Sequence, residues 1–174
     1  MHVFLQGPRN VGKTTVIRKT LSILMARKPL ILGGFFTWNG GKDDPCVYMQ
    51  PARPDVEGER YKLAGFNMEK GGLICDIQVF ERDGARLLSI SKGAELIIMD
   101  ELGFLESSAL NFRRAVLDTL AGDTPVFGTL RLGDVPWHNE IKSNPLVKLY
   151  DVSEKNRDTL PPELAKALSE ECEL

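Results

Sequence analysis

Gly7-Pro8-Arg9-Asn10-Val11-Gly12-Lys13-Thr14 decides the fold of this 174-residue chain. It fits the pattern G-x-x-x-x-G-K-[ST] in each fixed place. The flanks agree with it. His2-Val3-Phe4-Leu5-Gln6 is mostly apolar and reads as a short buried strand. From Lys13 to about Arg27, Val16, Ile17, Leu21, Leu24 and Met25 recur at helical spacing, with Arg18 and Lys19 between them. Strand, glycine loop and helix in that order form a phosphate cradle. The glycines let the backbone curl so that its N–H groups face anionic oxygens. The helix N-terminus adds its positive end. Lys13 supplies a mobile charge to the β- and γ-phosphates, and the Thr14 hydroxyl is placed to ligate Mg²⁺. The expected ligand is a nucleoside triphosphate with Mg²⁺, held by residues 7 to 15, Thr15 included.

A second element makes the first more specific. Glu95-Leu96-Ile97-Ile98-Met99 is an apolar strand that ends in Asp100-Glu101. Ligands of α/β sheets bind at the carboxyl ends of the strands. Asp100 is therefore expected to hold Mg²⁺ through its water shell, and Glu101 to orient or deprotonate an attacking water. An acceptor-dependent kinase keeps water from the γ-phosphate, whereas a hydrolase needs a group to position it. The Asp-Glu pair thus favours hydrolysis, with Glu101 and Lys13 as the catalytic pair. A nucleotide or polynucleotide kinase is one rival reading. A nucleotide-dependent binding switch with little catalysis is another.

The remaining chain alternates apolar strands with amphipathic helices, which implies a mainly parallel sheet covered on both faces. Further strands are expected at Leu30–Leu32, Pro125–Leu130 and Leu146–Val152, and helices at Phe80–Ser91, Ser108–Leu120 and Pro161 to about Glu170. Ser107 or Ser108 would cap the second of these helices. Residues 33–77 hold paired glycines, Pro45, Pro51 and Pro54, and short β-like pieces, so they read as β-hairpins inserted into the α/β frame. The length suits a single domain over residues 1–174. Hydrophobic residues are 43% and no apolar run reaches the ~18 residues of a membrane span. Residues 1–6 are too short for a signal peptide. The net charge of −2 gives no overall basic footprint, so no nucleic-acid partner is indicated. Cys46, Cys75 and Cys172 lie far apart and read as free thiols, which places the chain in the cytoplasm.

Four stretches resemble the P-loop nucleoside-triphosphatases of the THEP type. His2 to Thr15 resembles that family's opening, and Gly34-Phe35-Phe36-Thr37 its Gly-Phe-x-Thr segment. Asp100-Glu101-Leu102-Gly103-x-Leu105-Glu106 is similar to its Asp-Glu-Ile-Gly-Lys-Met-Glu. Glu140-Ile141-Lys142 with Tyr150 to Leu160, which holds Asn156-Arg157, resembles its C-terminal block. The resemblance implies a RecA-like α/β domain that slowly hydrolyses several nucleoside triphosphates. It assigns phosphate contacts to Gly12, Lys13 and Thr14, Mg²⁺ to Asp100 and water to Glu101. Two departures stand out. Trp38 to Asp44 replaces an arginine-bearing stretch of the family, with Lys42 in partial substitution, and Phe104 replaces its lysine.

Several residues carry two readings. Asn156-Arg157 either holds the nucleobase or forms a turn through the Asn side chain. Thr129 is a candidate γ-phosphate sensor, and Arg131, Arg9, Arg53 and Arg60 compete to neutralise transition-state charge. Glu106 either supports the metal site or faces solvent. His138 reads as a surface residue, and Phe35, Phe36 and Trp38 as hairpin core.

Overall fold

The computed structural model describes residues 1–53, 60–67 and 71–171. Pro54 and Cys172 lie outside them. Eight strands form one sheet: β1 (His2–Gly7), β2 (Leu32–Asn39), β3 (Cys46–Pro51), β4 (Tyr61–Asn67), β5 (Gly72–Cys75), β6 (Leu96–Leu102), β7 (Val126–Arg131) and β8 (Val147–Asp151). The spatial order is β5-β4-β3-β2-β6-β7-β1-β8. From β2 to β8 all pairings are parallel, and from β2 to β5 all are antiparallel. The helices are α1 (Lys13–Met25), α2 (Ala85–Ser89), which continues a π-helical stretch Val79–Gly84, α3 (Leu110–Leu120), α4 (His138–Lys142) and α5 (Leu160–Glu171).

The apolar strands are apolar because both faces are covered. Val3 and Leu5 of β1, with Leu96 and Ile98 of β6, pack on the α1 and α5 side against Val16, Ile17, Leu164 and Leu168. Their alternates Phe4, Ile97 and Met99 face the α2 and α3 side with Phe35, Phe112 and Val116. The two-residue period of the strands thus divides one apolar run between two cores.

The expected parallel sheet with flanking helices is present, and three local expectations are corrected. The strand begun at Leu30–Leu32 and the piece Phe35–Trp38 are one element, β2, unbroken at Gly33-Gly34. Gly34 is not a turn: it lies at φ +79°, and a Cβ there would come 2.0 Å from the Ile98 carbonyl oxygen. Gly34 lets β2 press against β6, and Gly33 leaves room for Ser91 and Ala94. The expected hairpins extend the same sheet as a meander. Helix α3 starts at Leu110, with Ala109 at the cap position and no side-chain cap of its own. The Glu81 carboxylate accepts from the Asn111 N–H at 2.7 Å, so the cap comes from another element. The helix expected from Phe80 begins with a π-helical stretch. Gly84 lies there against Phe112, whose ring leaves no room for a Cβ.

Gly34→Ala is expected to cost about 3 kcal/mol or more, since backbone strain and a backbone clash add. Gly93→Ala, also at positive φ (+82°) but with open space around it, should cost only about 1–2 kcal/mol. Urea midpoints of the two variants, compared at equal m, check the difference.

Candidate active site

The phosphate loop leaves the carboxyl end of β1 and enters α1. Two residues in it adopt left-handed backbone, Asn10 at φ +62° and Gly12 at φ +109°. The loop closes on its own lysine: Lys13 Nζ donates to the carbonyls of Gly7 (3.0 Å) and Pro8 (3.1 Å). Burial lowers the Lys13 pKa, and the carboxylates of Glu101 and Asp100 oppose that shift.

β7 lies between β1 and β6 and aligns their ends, with Leu5 opposite Thr129 and Met99 opposite Gly128. Beyond Met99 the β6–β7 register shifts: Leu102 pairs with Leu130, so three steps on β6 match two on β7. Such irregularities re-aim side chains at sheet edges. Asp100 is fully buried there. Its Oδ1 accepts from Thr129 Oγ1 at 2.9 Å, while Oδ2 has no partner among the described residues. Burial pushes the Asp100 pKa up to about 6, partly offset by the hydroxyls of Thr14 and Thr129. A hard divalent cation takes such oxygen donors. The Asp100 carboxylate, with an unpartnered buried oxygen beside the Thr14 hydroxyl, fits Mg²⁺.

Glu101 is half-buried and borders a cavity together with Arg9, Asn10 and Arg131. The loop after it is held from both sides. Trp137 Nε1 donates to the Gly103 carbonyl at 3.0 Å, and the Glu106 carboxylate accepts from the Gly103 N–H. Glu106 is 2% exposed, which overturns the solvent-facing reading. Burial pushes its pKa up to about 7, and Glu101 adds to the rise. The Arg131 guanidinium lies 4.5 Å from the Phe104 ring centroid. Of the four competing arginines, Arg9 and Arg131 border the cavity with Glu101, whereas Arg60 sits over the Trp38 ring.

Asn156 and Arg157 divide their two readings. The Asn156 side-chain Oδ1 accepts from Ser153 N (2.8 Å) and Oγ (3.1 Å), and its Nδ2 donates to the Asp151 carbonyl (2.8 Å). It ties the turn after β8. Arg157 reaches the phosphate loop and donates to the Val11 carbonyl at 3.3 Å. One expectation is overturned: His138 is 1% exposed, because α4 turns it inward, edge-on to Trp137 with centroids 4.9 Å apart. Burial pushes its pKa down to about 4. Of the aromatics, Phe35 and Phe36 are core as expected, while Trp38 is half-buried and stacks on Tyr48. Sequence reasoning missed Trp137 as a support of this loop. Its only signal was an indole N–H that needs an acceptor when buried.

The NTPase family's sequence profile matches residues 2–165, which takes in both the phosphate loop and Asp100-Glu101. The chain belongs to this NTPase family. It is 31% identical to the nucleoside-triphosphatase THEP1 of Thermofilum pendens, over 95% of this chain and 93% of that one. It is 29% identical to the cancer-related nucleoside-triphosphatase of Homo sapiens, with 94% of each covered. A solution structure of a human cancer-related nucleoside triphosphatase superposes with TM-score 0.77 at 26% identity, covering 96% of each chain. A crystal structure of THEP1 from Aquifex aeolicus shares the fold at TM-score 0.78. In the family frame, Phe104 stands where a lysine was expected, and Arg131 places a cation against its ring.

The raised pKa of Glu106 has a consequence for stability. The folded state keeps its proton up to about pH 7, while the unfolded chain releases it near pH 4.5. Stability therefore falls as pH rises through that window. Glu106→Gln should remove about 3 kcal/mol of the fall. Urea midpoints at pH 5 and pH 8 check this: their difference shrinks in the variant, and an unchanged difference would mean that the carboxyl is ionised throughout.

Proposed function

We propose that this NTPase hydrolyses nucleoside 5'-triphosphates to diphosphate and phosphate in the presence of Mg²⁺. The observation that carries the reading is the unpartnered Asp100 oxygen beside the phosphate loop, with Glu101 next in sequence at the mouth of the cavity. Family membership supports it, because the relatives are named nucleoside-triphosphatases.

The roles follow from the geometry. Loop N–H groups of residues 9 to 14 and the amino end of α1 receive the phosphates. Lys13, held by two loop carbonyls, exchanges them for phosphate oxygens. Thr14 and Asp100 would hold Mg²⁺, which neutralises charge on the β- and γ-phosphates when bound. Thr129 orients the Asp100 carboxylate by donating to its other oxygen. Glu101 positions a water and accepts its proton. Arg9 and Arg131, which border the cavity with Glu101, are the cations placed to meet charge that develops on the γ-phosphate.

Base tolerance has its own source. Arg157 reaches the phosphate loop from the opposite side, and a guanidinium stacks on any base without reading its edge. Asn156 holds the turn that presents it. Several triphosphates should therefore serve, ATP and GTP among them. Slow turnover is expected from the resemblance to the THEP-type nucleoside-triphosphatases. The free thiols Cys46 and Cys75 suit a cytoplasmic setting, and no helix of the described residues is long and apolar enough to cross a membrane.

Glu101→Gln should bind ATP within about twofold of the parent while phosphate release drops ~10²–10⁴-fold. Equilibrium binding and phosphate release with Mg·ATP and no acceptor measure both. Undiminished turnover in the variant would favour the binding switch, and release only with an added hydroxyl acceptor would favour a kinase. Arg157→Ala should raise the Michaelis constants for ATP and GTP alike by roughly 5–30-fold, a loss of about 1–2 kcal/mol, with little change in kcat. Unchanged constants would remove Arg157 from the base side.

A further inference from the structure

The meander and the loop after Glu101 enclose a cavity of about 720 Å³, well within the ~300–1,000 Å³ of small-molecule sites. Its mouth is the γ-phosphate end of the active site, at Arg9, Asn10 and Glu101. From there it extends to Val47 of β3, Leu63 of β4 and Phe80. A γ-phosphate and a water molecule fill only the mouth. The apolar far wall has no task in hydrolysis. It is not the nucleobase side either. Arg157 approaches the phosphate loop from the turn after β8, whereas the cavity is walled by β2, β3, β4 and the end of β6, on the opposite side of β1 in the sheet order.

The charges around it are uneven. Arg9, Lys42 and Arg131 all border the cavity, and none of them forms an ion pair among the described residues. Of the two bordering carboxyls, Glu106 is engaged with the Gly103 N–H, and Glu101 is at the reacting end. A cationic rim over an apolar wall recognises a molecule with one anionic group and a flat hydrophobic body. A phosphate group suits guanidinium and ammonium donors.

We propose that this cavity binds a second small molecule beside the nucleotide, a phosphate monoester whose phosphate meets Lys42 and shares Arg9 and Arg131 with the γ-phosphate, and whose ring lies on Val47, Leu63 and Phe80. The proposal rests on the triphosphate reading for what occupies the phosphate loop. The stretch Trp38 to Asp44, where the resemblance to the family breaks, supplies Asn39 and Lys42 to this wall. The departure is then a matter of which second ligand fits.

The test uses the full chain saturated with Mg²⁺ and the β,γ-imido analogue of ATP. AMP, GMP, CMP and UMP are each titrated in by calorimetry. At least one should bind one-to-one as a second ligand in the micromolar range. Val47→Trp, which fills the apolar wall, should weaken it tenfold or more while the analogue's affinity changes less than twofold. Lys42→Ala, an exposed position with no part in the core, should weaken it three- to tenfold and serves where the tryptophan disturbs folding. No second binding event with any of the four monophosphates would overturn the proposal, as would equal binding by parent and both variants. A parent chain that fails to bind the analogue itself would overturn the triphosphate reading, and this one with it.

Discussion

A carboxylate with no solvent exposure must be protonated, or be matched by hydrogen bonds and positive charge. Asp100 is such a carboxylate, and much of the architecture serves to match it. Thr129 satisfies one oxygen. Thr14 and Lys13 approach from the phosphate loop and favour its charged form. The same two carboxylates, Asp100 and Glu101, oppose the effect of burial on Lys13. Neither charge is stable alone in that interior, so the phosphate loop and the end of β6 depend on each other. Their alignment comes from β7, which pairs with both strands.

Around that pair the structure spends polar contacts on holding the wall next to Glu101. Gly103 is gripped through its carbonyl by Trp137 and through its N–H by Glu106. Phe104, half-exposed, seats the Arg131 guanidinium. A lysine in its place would repel Arg131. The phenylalanine instead holds it through a cation–π contact of about 0.5–1 kcal/mol at an exposed site. The positive charge that the sequence lacks at 104 thus returns from the neighbouring strand, on a shorter leash.

Where the sequence was misread, a distant contact had overridden a local signal. Gly33-Gly34 has the composition of a turn, yet Gly34 is a point of close approach to Ile98 within an unbroken strand. Ser107 and Ser108 have cap chemistry, but Glu81 from another element takes the helix end. His138 is polar and loop-flanked, and α4 nonetheless carries it inside against Trp137. Asn156 followed its local propensity for turns.

The chain's own order of residues determined the phosphate loop, the apolar strand ending in Asp100-Glu101, and the alternation of strands and helices. These are local patterns: a spacing of eight residues, a period of two and a period of 3.6. Family resemblance lies in the same short stretches. Tertiary structure alone decided that Thr129 faces Asp100 across 29 positions, that Arg131 but not Arg60 borders the same cavity as Glu101, and that residues 39 to 47 help to wall that cavity. Each of these depends on strand order and register. Neither leaves a periodic trace in the sequence, because pairing between strands is set by which buried faces and which close approaches the whole sheet can satisfy at once.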